Sequence, residues 1–334
     1  MAVIRDKMPA FQLFQPASTE EALGVLDRYG ADAWVLAGGL DTWDWLKDRV
    51  QKPSAVVDLG GIASLREIRS AGGGVEIGAM ATLRQVIRHS DVSGRFSLLA
   101  DAASQAASPQ IQNQGTLGGN VGQDTRCWYY RDGWSCYRAG GNICYADTPT
   151  AMNREHAILG ASRCVAVNPS DTAPVLIALD AEMVVLNSGG ERVIPAQDFF
   201  IGPAVDIERM TALRPGDILT QIRIPGTWAD ARFYFEKARD RAVWDFPLAN
   251  VASAAKVTNG VIEDIRIVAN GVAPYPVRFI AAEDAVRGQQ VNDQTAAQAG
   301  EIAIRGVTPL AHNGYKVSLL QNLVARSVRG GAEA

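Results

Sequence analysis

The sequence predicts an α+β fold with two ligand-facing lobes and a C-terminal domain of antiparallel sheet plus helices. Three observations carry that reading. Over residues 10–60, short apolar strands ending in glycine pairs alternate with helical segments. From residue 61 the pattern changes to alternating strands joined by tight glycine turns, as in hairpins. Beyond Pro225, Asn259-Gly260 links two strands as a strong hairpin turn, and helical periodicity then runs to the end. The expected units are a first lobe over 1–60, a second over 61–225 with a cysteine-bearing insertion at 124–166, and a C-terminal domain over 226–334.

Each element has a local reason. Ser18-Thr-Glu-Glu21 reads as a capping box opening a helix, with Ala22, Leu23, Val25 and Leu26 on its apolar side and Gly30 as its stop. A strand at Trp34–Ala37 runs into Gly38-Gly39, Trp43–Arg49 reads as helix, and Ala55–Leu59 is a second strand ended by glycines. Leu65–Arg69 and Gly74–Ala79 form a hairpin about Gly72-Gly73, followed by helices at Thr82–His89 and Leu98–Ala106. Residues 107–164, rich in Gly, Gln, Asn and aromatics, read as loop. Strands return at Ala181–Leu186, Arg192–Ile194 and Ile218–Ile224. Further strands fall at Phe233–Ala238, Ala252–Val257 and Val261–Val268, and helices start at Ile280, Thr295 and Asn313.

Composition narrows the function classes. The 334 residues are 47% hydrophobic and 20% charged, enough for a globular core. A net charge of −4 without a strongly basic stretch makes nucleic acid an unlikely partner. No apolar run suits a secretory signal or a membrane span, so the expected location is the cytoplasm, unless a signal-bearing partner exports the folded chain. The three histidines share no metal-ligand spacing and pair with no nucleophile. His89 is expected to end a helix and His312 to precede one; His156 is expected at the surface, with contact to a cysteine-bound metal centre as the alternative. Redox chemistry would have to come from bound cofactors.

Two segments share one grammar: Val35-Leu-Ala-Gly-Gly-Leu-Asp-Thr42 and Gly115-Thr-Leu-Gly-Gly-Asn120. Consecutive glycines let backbone N–H groups converge on one concavity, which suits a diphosphate. Neither has the G-x-G-x-x-G spacing of a Rossmann site, and a plain turn explains either one alone. The cysteines are spaced Cys127-x8-Cys136-x7-Cys144-x19-Cys164 on one irregular, aromatic-rich segment. Without C-x2–4-C knuckles the spacing leaves an iron–sulfur cluster, zinc or no metal open. Trp128, Tyr129, Tyr130, Trp134, Tyr137 and Tyr145 are expected to pack around and shield that centre, with electron stepping stones as the alternative role.

Six motifs in order carry a family resemblance: Ala37-Gly-Gly-Leu-Asp-Thr42, Ile77-Gly-Ala-Met-Ala-Thr-Leu83, Gln110-Ile-Gln-Asn-Gln-Gly-Thr-Leu-Gly-Gly-Asn120, Asn168-Pro-Ser-Asp-Thr-Ala-Pro174, Asp217-Ile-Leu-Thr-Gln-Ile-Arg-Ile-Pro225 and Phe235-Glu-Lys-Ala-Arg239. On these the chain resembles the FAD-binding (medium) subunit of the molybdenum hydroxylases, the family of xanthine dehydrogenase, carbon monoxide dehydrogenase and aldehyde oxidoreductases. The resemblance implies a two-lobed FAD-binding domain of the PCMH/VAO type followed by a smaller C-terminal α+β domain. It implies Gly38, Gly39, Leu40, Asp41 and Thr42 as the first diphosphate loop and Thr116, Leu117, Gly118, Gly119 and Asn120 as the second. Asp171 would lie at the adenosine end of FAD, and Leu219 and Lys237 near the flavin; their plain readings are a capped turn, a core leucine and a solvated lysine. Leu40 stands where the family often has Thr, removing one side-chain hydrogen bond to phosphate.

The insertion departs from the common pattern and resembles the subtypes with an additional 4Fe-4S cluster, bacterial aromatic aldehyde oxidoreductases and hydroxybenzoyl-CoA reductase. That resemblance implies Cys127, Cys136, Cys144 and Cys164 as cluster ligands. The chain would then be an electron-transfer subunit, not a complete enzyme alone. A molybdopterin-binding large subunit and a 2Fe-2S small subunit would be its partners, and its FAD would pass electrons to an external acceptor. A reductase running the flow in reverse, a stand-alone flavin oxidase and a zinc-stabilised binding module are the rival readings.

Overall fold

A computed structural model describes residues 8–330 of the chain. The first sheet is parallel: β1 (Gln12–Phe14), β2 (Ala33–Leu36) and β3 (Ala55–Asp58) in the order β1-β3-β2. The helix Thr19–Tyr29 crosses from β1 to β2 and buries Ala22 and Leu26 against this sheet. Ser18 Oγ accepts the Glu21 N–H at 3.2 Å, as the capping motif predicts. Glu21 reaches one residue further back than expected, accepting from the Ala17 N–H at 2.8 Å.

The second sheet holds β4 (Ile68–Ala71), β5 (Gly74–Gly78), β6 (Glu182–Asn187), β7 (Gly190–Pro195) and β8 (Ile218–Ile224), in the order β4-β5-β8-β6-β7 with antiparallel neighbours. The β4–β5 turn needs positive φ at both centres, 56° at Gly72 and 82° at Gly73, which only glycine adopts without strain. The strand expected at Leu65–Arg69 is instead a 3₁₀ turn, Ala63–Arg66, and β4 begins at Ile68. Ile77, Met183, Val185 and Ile222 of this sheet share one core with the helices Ser97–Ser104 and Ala173–Ala178.

The third sheet, β9 (Arg232–Ala238), β10 (Ala249–Thr258), β11 (Val261–Asn270) and β12 (Val277–Arg278), is antiparallel in the order β12-β11-β10-β9. Asn259 and Gly260 turn β10 into β11 with φ of 51° and 80°. One face of β10 and β11 is covered by the helices Ile280–Val286, Asp293–Ala303 and Tyr315–Arg329. Residues 107–164 are not all loop: the short helices Pro109–Gln112, Leu117–Gly122 and Trp128–Arg131 lie within them. Each is too short to show a 3.6-residue period, which is why the sequence reads as irregular there.

Candidate functional site

The first glycine loop follows β2. Gly39 has φ of 78°, and a Cβ on Gly38 would lie 2.4 Å from the Gln114 carbonyl oxygen. The two loops therefore touch, and Gln114 Nε2 donates to the Gly38 carbonyl at 2.7 Å. Trp34 Nε1 donates to Thr42 Oγ1 at 3.1 Å, fixing the start of the helix Thr42–Lys47. Leu40 is partly exposed and lies over Gly115 of the second loop. Among the described residues, the N–H groups of Gly39, Leu40 and Asp41 donate to no acceptor in the chain. This is the donor set an anionic ligand can use.

The second loop is stitched into the scaffold. Leu117 N–H donates to the Ala81 carbonyl at 2.9 Å and Gly118 N–H to the Ala79 carbonyl at 2.8 Å. Gly119 N–H donates to Thr116 Oγ1 at 3.0 Å, and Asn120 N–H to the Thr116 carbonyl at 2.9 Å. A Cβ on Gly118 would lie 2.7 Å from the Ala79 oxygen, so this close approach demands glycine. Asn120 Oδ1 accepts from the hydroxyls of Ser170 at 2.7 Å and Thr172 at 2.6 Å, tying the loop to the Ser-Asp motif.

Asp171 and Lys237 form one buried unit. Lys237 Nζ lies 2.6 Å from Asp171 Oδ2 and also donates to the carbonyls of Gln105 at 3.1 Å and Asp245 at 2.8 Å. Asn250 Nδ2 donates to Asp171 Oδ1 at 3.2 Å. Burial pushes the Asp171 carboxyl up, against the opposing pull of Lys237. Lys237 is thus not the solvated lysine of its plain reading but a buried, paired one. Leu219 sits in β8 within the core shared with the helix Leu117–Gly122. Thr116 to Asn120, Asp171 and Lys237 are brought together through Asn120; Leu219 supports them from beneath.

The cysteine insertion is tied to segments of both lobes and of the C-terminal domain. Arg131 Nη2 lies 2.8 Å from Asp41 Oδ1 of the first loop, its guanidinium carbon 3.6 Å above the Trp45 ring, and Tyr130 packs on Trp45 at 5.3 Å. Arg138 donates to Asp124 Oδ1 at 2.6 Å and to the Glu208 carbonyl at 2.7 Å. Toward the C-terminal domain, Asn313 Nδ2 donates to the His156 carbonyl at 3.0 Å, and Lys316 Nζ to the carbonyls of Glu155 at 2.8 Å and Gly271 at 2.7 Å.

The four cysteines are unpaired thiols, Cys136 and Cys164 buried, Cys127 and Cys144 half-buried. Burial pushes the Cys127 thiol up to about 12 and the Cys164 thiol to about 11. Each also feels its neighbours: Cys164 and Cys144 raise Cys127, and Cys144 and Cys136 raise Cys164. Among the described residues no three His, Cys, Asp or Glu side chains are placed to hold a single metal ion. His156 corrects its expectation as a surface residue: it is buried, with Nε2 3.3 Å from Cys127 Sγ, and burial draws its pKa down to about 4. The aromatic shell also differs. Tyr129, Trp134 and Tyr145 contact one another, with Trp134 and Tyr145 centroids 4.8 Å apart, but Trp128 is 59% exposed.

Comparison with known proteins places the chain in a family. Residues 9–227 match the model of the FAD binding domain in molybdopterin dehydrogenase, and residues 233–330 that of the CO dehydrogenase flavoprotein C-terminal domain. The chain belongs to the FAD-binding medium subunits of the molybdenum hydroxylase family. It is 27% identical over 325 residues to the carbon monoxide dehydrogenase medium chain of Hydrogenophaga pseudoflava, covering 96% of each. It is 30% identical over 294 residues to the aldehyde oxidoreductase FAD-binding subunit PaoB of Escherichia coli strain K12, covering 87% of this chain and 88% of that one. A solved structure of the Hydrogenophaga pseudoflava carbon monoxide dehydrogenase, a form lacking the Mo-pyranopterin moiety, superposes with a TM-score of 0.78 at 27% identity over 98% of this chain and 99% of that chain.

Proposed function

We propose that this chain is the FAD and 4Fe-4S electron-transfer subunit of a three-subunit molybdenum-dependent aldehyde oxidoreductase, with an aromatic aldehyde as substrate. A molybdopterin-binding subunit would oxidise the aldehyde, a 2Fe-2S subunit would relay the electrons, and this chain would deliver them to an external acceptor. Likeness to PaoB, an aldehyde oxidoreductase FAD-binding subunit, supports the substrate class. When bound, FAD supplies the exchange between one- and two-electron steps. The chain's own residues would do the holding: the open N–H groups of Gly39, Leu40 and Asp41 toward the diphosphate, with Thr42, Thr116, Gly118, Gly119 and Asn120 shaping the cradle.

What supports the cluster is the insertion's resemblance to the cluster-bearing subtypes, which implies Cys127, Cys136, Cys144 and Cys164 as its ligands. Zinc needs thiolates about 2.3 Å from one point. A cube binds its four thiolates at separate corners and supplies a cationic core, which offsets the cost of ionising buried thiols.

Purifying the chain with its partners anaerobically, quantifying flavin and iron, and recording low-temperature EPR after reduction tests this reading. About one FAD and four irons are expected from this subunit, with the signal lost on Cys136→Ser. FAD without that iron would sink the cluster and leave the flavin subunit standing. Reduction of the flavin by a low-potential donor, but not by any aldehyde, would favour the hydroxybenzoyl-CoA reductase-like direction.

A further inference from the structure

Next to the first glycine loop the insertion places two guanidinium groups that the fold does not fully use. Arg131 Nε donates to the Thr125 carbonyl at 2.8 Å and Nη2 to the Asp124 carbonyl at 3.2 Å, leaving Nη1 buried without a hydrogen-bond partner among the described residues. Arg126 stacks on Phe246 at 4.4 Å, and its Nε is likewise buried and unpartnered. Both reach Asp41 Oδ1, Arg131 at 2.8 Å and Arg126 at 3.3 Å, yet that oxygen accepts no well-directed hydrogen bond. The contact is charge proximity, with donors still unspent. Asp44, 3.6 Å from Arg126 Nη1, has a 56% exposed side chain, so water screens its charge. Asp41 has a further partner in Trp45 Nε1, which donates to its Oδ2 at 3.2 Å.

Asp41 is part of the loop whose N–H groups remain open, and Leu40 beside it offers no hydrogen-bonding side chain. A doubly charged diphosphate seated there needs counter-charge that backbone dipoles supply only in part. We propose that Arg126 and Arg131 bind the diphosphate of FAD, so that the cysteine insertion completes the dinucleotide site of the first lobe. The inference rests on FAD as the resident cofactor. It gives the insertion a binding role that does not depend on a cluster.

The test uses the full complex, stripped of flavin and titrated with FAD by flavin fluorescence. Iron content and thermal melting are measured alongside. Arg131→Met is expected to weaken FAD affinity about ten-fold or more, Arg131→Lys less, and Arg126→Met by a smaller factor, with iron unchanged. The affinity of the double variant should be less sensitive to added NaCl than that of the wild type. Asp41→Asn is expected to tighten FAD, because it removes a negative charge and frees both guanidinium groups. Wild-type FAD affinity in both methionine variants would overturn the proposal. So would an Asp41→Asn variant that loses FAD as far as they do, since the arginines would then act only by holding Asp41. If Arg131→Met does not fold, Arg126→Met decides, because its side chain makes no backbone hydrogen bond. Failure of the wild type to take up FAD would instead strike the cofactor assignment.

Discussion

The two glycine loops look alike in sequence and are held in opposite ways. The second loop is fixed by its own backbone: four consecutive N–H groups, Leu117 to Asn120, are satisfied within the fold, and Asn120 bolts it to Ser170 and Thr172. The first leaves its N–H groups open and is held from outside, by arginines of the cysteine insertion on Asp41 and by Gln114 on Gly38. One loop is scaffold fixed by its own backbone; the other keeps open donors and, in our proposal, is a receptor completed by a distant segment. The loops should therefore fail differently, the second through stability and the first through ligand affinity.

The largest effect is expected behind the second loop. Asp171 and Lys237 are buried at 2.6 Å, and removing one member strands the other's charge. Lys237→Met and Asp171→Asn should each cost about 3–5 kcal/mol in chemical denaturation. The double replacement Asp171→Leu with Lys237→Met should recover much of that loss. A Lys237→Met protein as stable as the wild type would show that the pair contributes nothing to the second loop's support. Next comes Gly118→Ala. Its Cβ would meet the Ala79 oxygen at 2.7 Å and the Ala79 Cβ at 2.8 Å, neither of which can swing aside. A loss of about 1–3 kcal/mol is expected, with FAD affinity falling only as the fold does.

How much of this could be read from the sequence follows the same division. Local chemistry was legible: the Ser18 cap, the Gly72-Gly73 and Asn259-Gly260 turns with positive φ, and both glycine loops. The helix Ala173–Ala178 was not, because all six of its residues are buried and it shows no polar face to mark a period. Three-residue β1 is too short to announce itself. Partnerships across the chain, Arg131 with Asp41 and Lys237 with Asp171, are tertiary facts that no local pattern encodes. The one available signal for the arginines was their position, with Arg126 immediately before Cys127 and Arg131 closing the short helix that follows.

The insertion that serves the first loop is itself anchored at its far end by Lys316, whose side chain is fully buried between the carbonyls of Glu155 and Gly271. Burial draws its pKa from 10.5 down to about 7. The unfolded chain then binds more protons at this site than the folded one between these limits, so stability rises with pH across the window. The cost of burying the ammonium is full below pH 7 and gone above 10.5. Melting of the wild type and Lys316→Met across pH 6–10 should show the wild type gaining on the variant by up to about 1.4 kcal/mol per pH unit. A difference flat with pH would mean that the ammonium keeps its ordinary pKa in the folded protein, the two carbonyls offsetting the cost of its burial.

The smallest effect on stability, and the sharpest test of the contrast, belongs to Gly39→Ala. The backbone at Gly39 has φ of 78°, which costs an L-residue about 1–2 kcal/mol, and the new methyl would press on Trp43 Nε1 at 2.6 Å. Trp43 is a side chain on a short helix and can yield, unlike the Ala79 backbone beneath Gly118. The fold should therefore lose little beyond that about 1–2 kcal/mol of backbone strain, while the open N–H groups of Gly39 and Leu40 turn away from their common direction. FAD affinity should fall further than the melting temperature implies, the reverse of Gly118→Ala. Parallel titrations and melts of the two variants separate the cases. If both lose stability and flavin in the same proportion, the first loop is as much scaffold as the second, and the division between them does not exist.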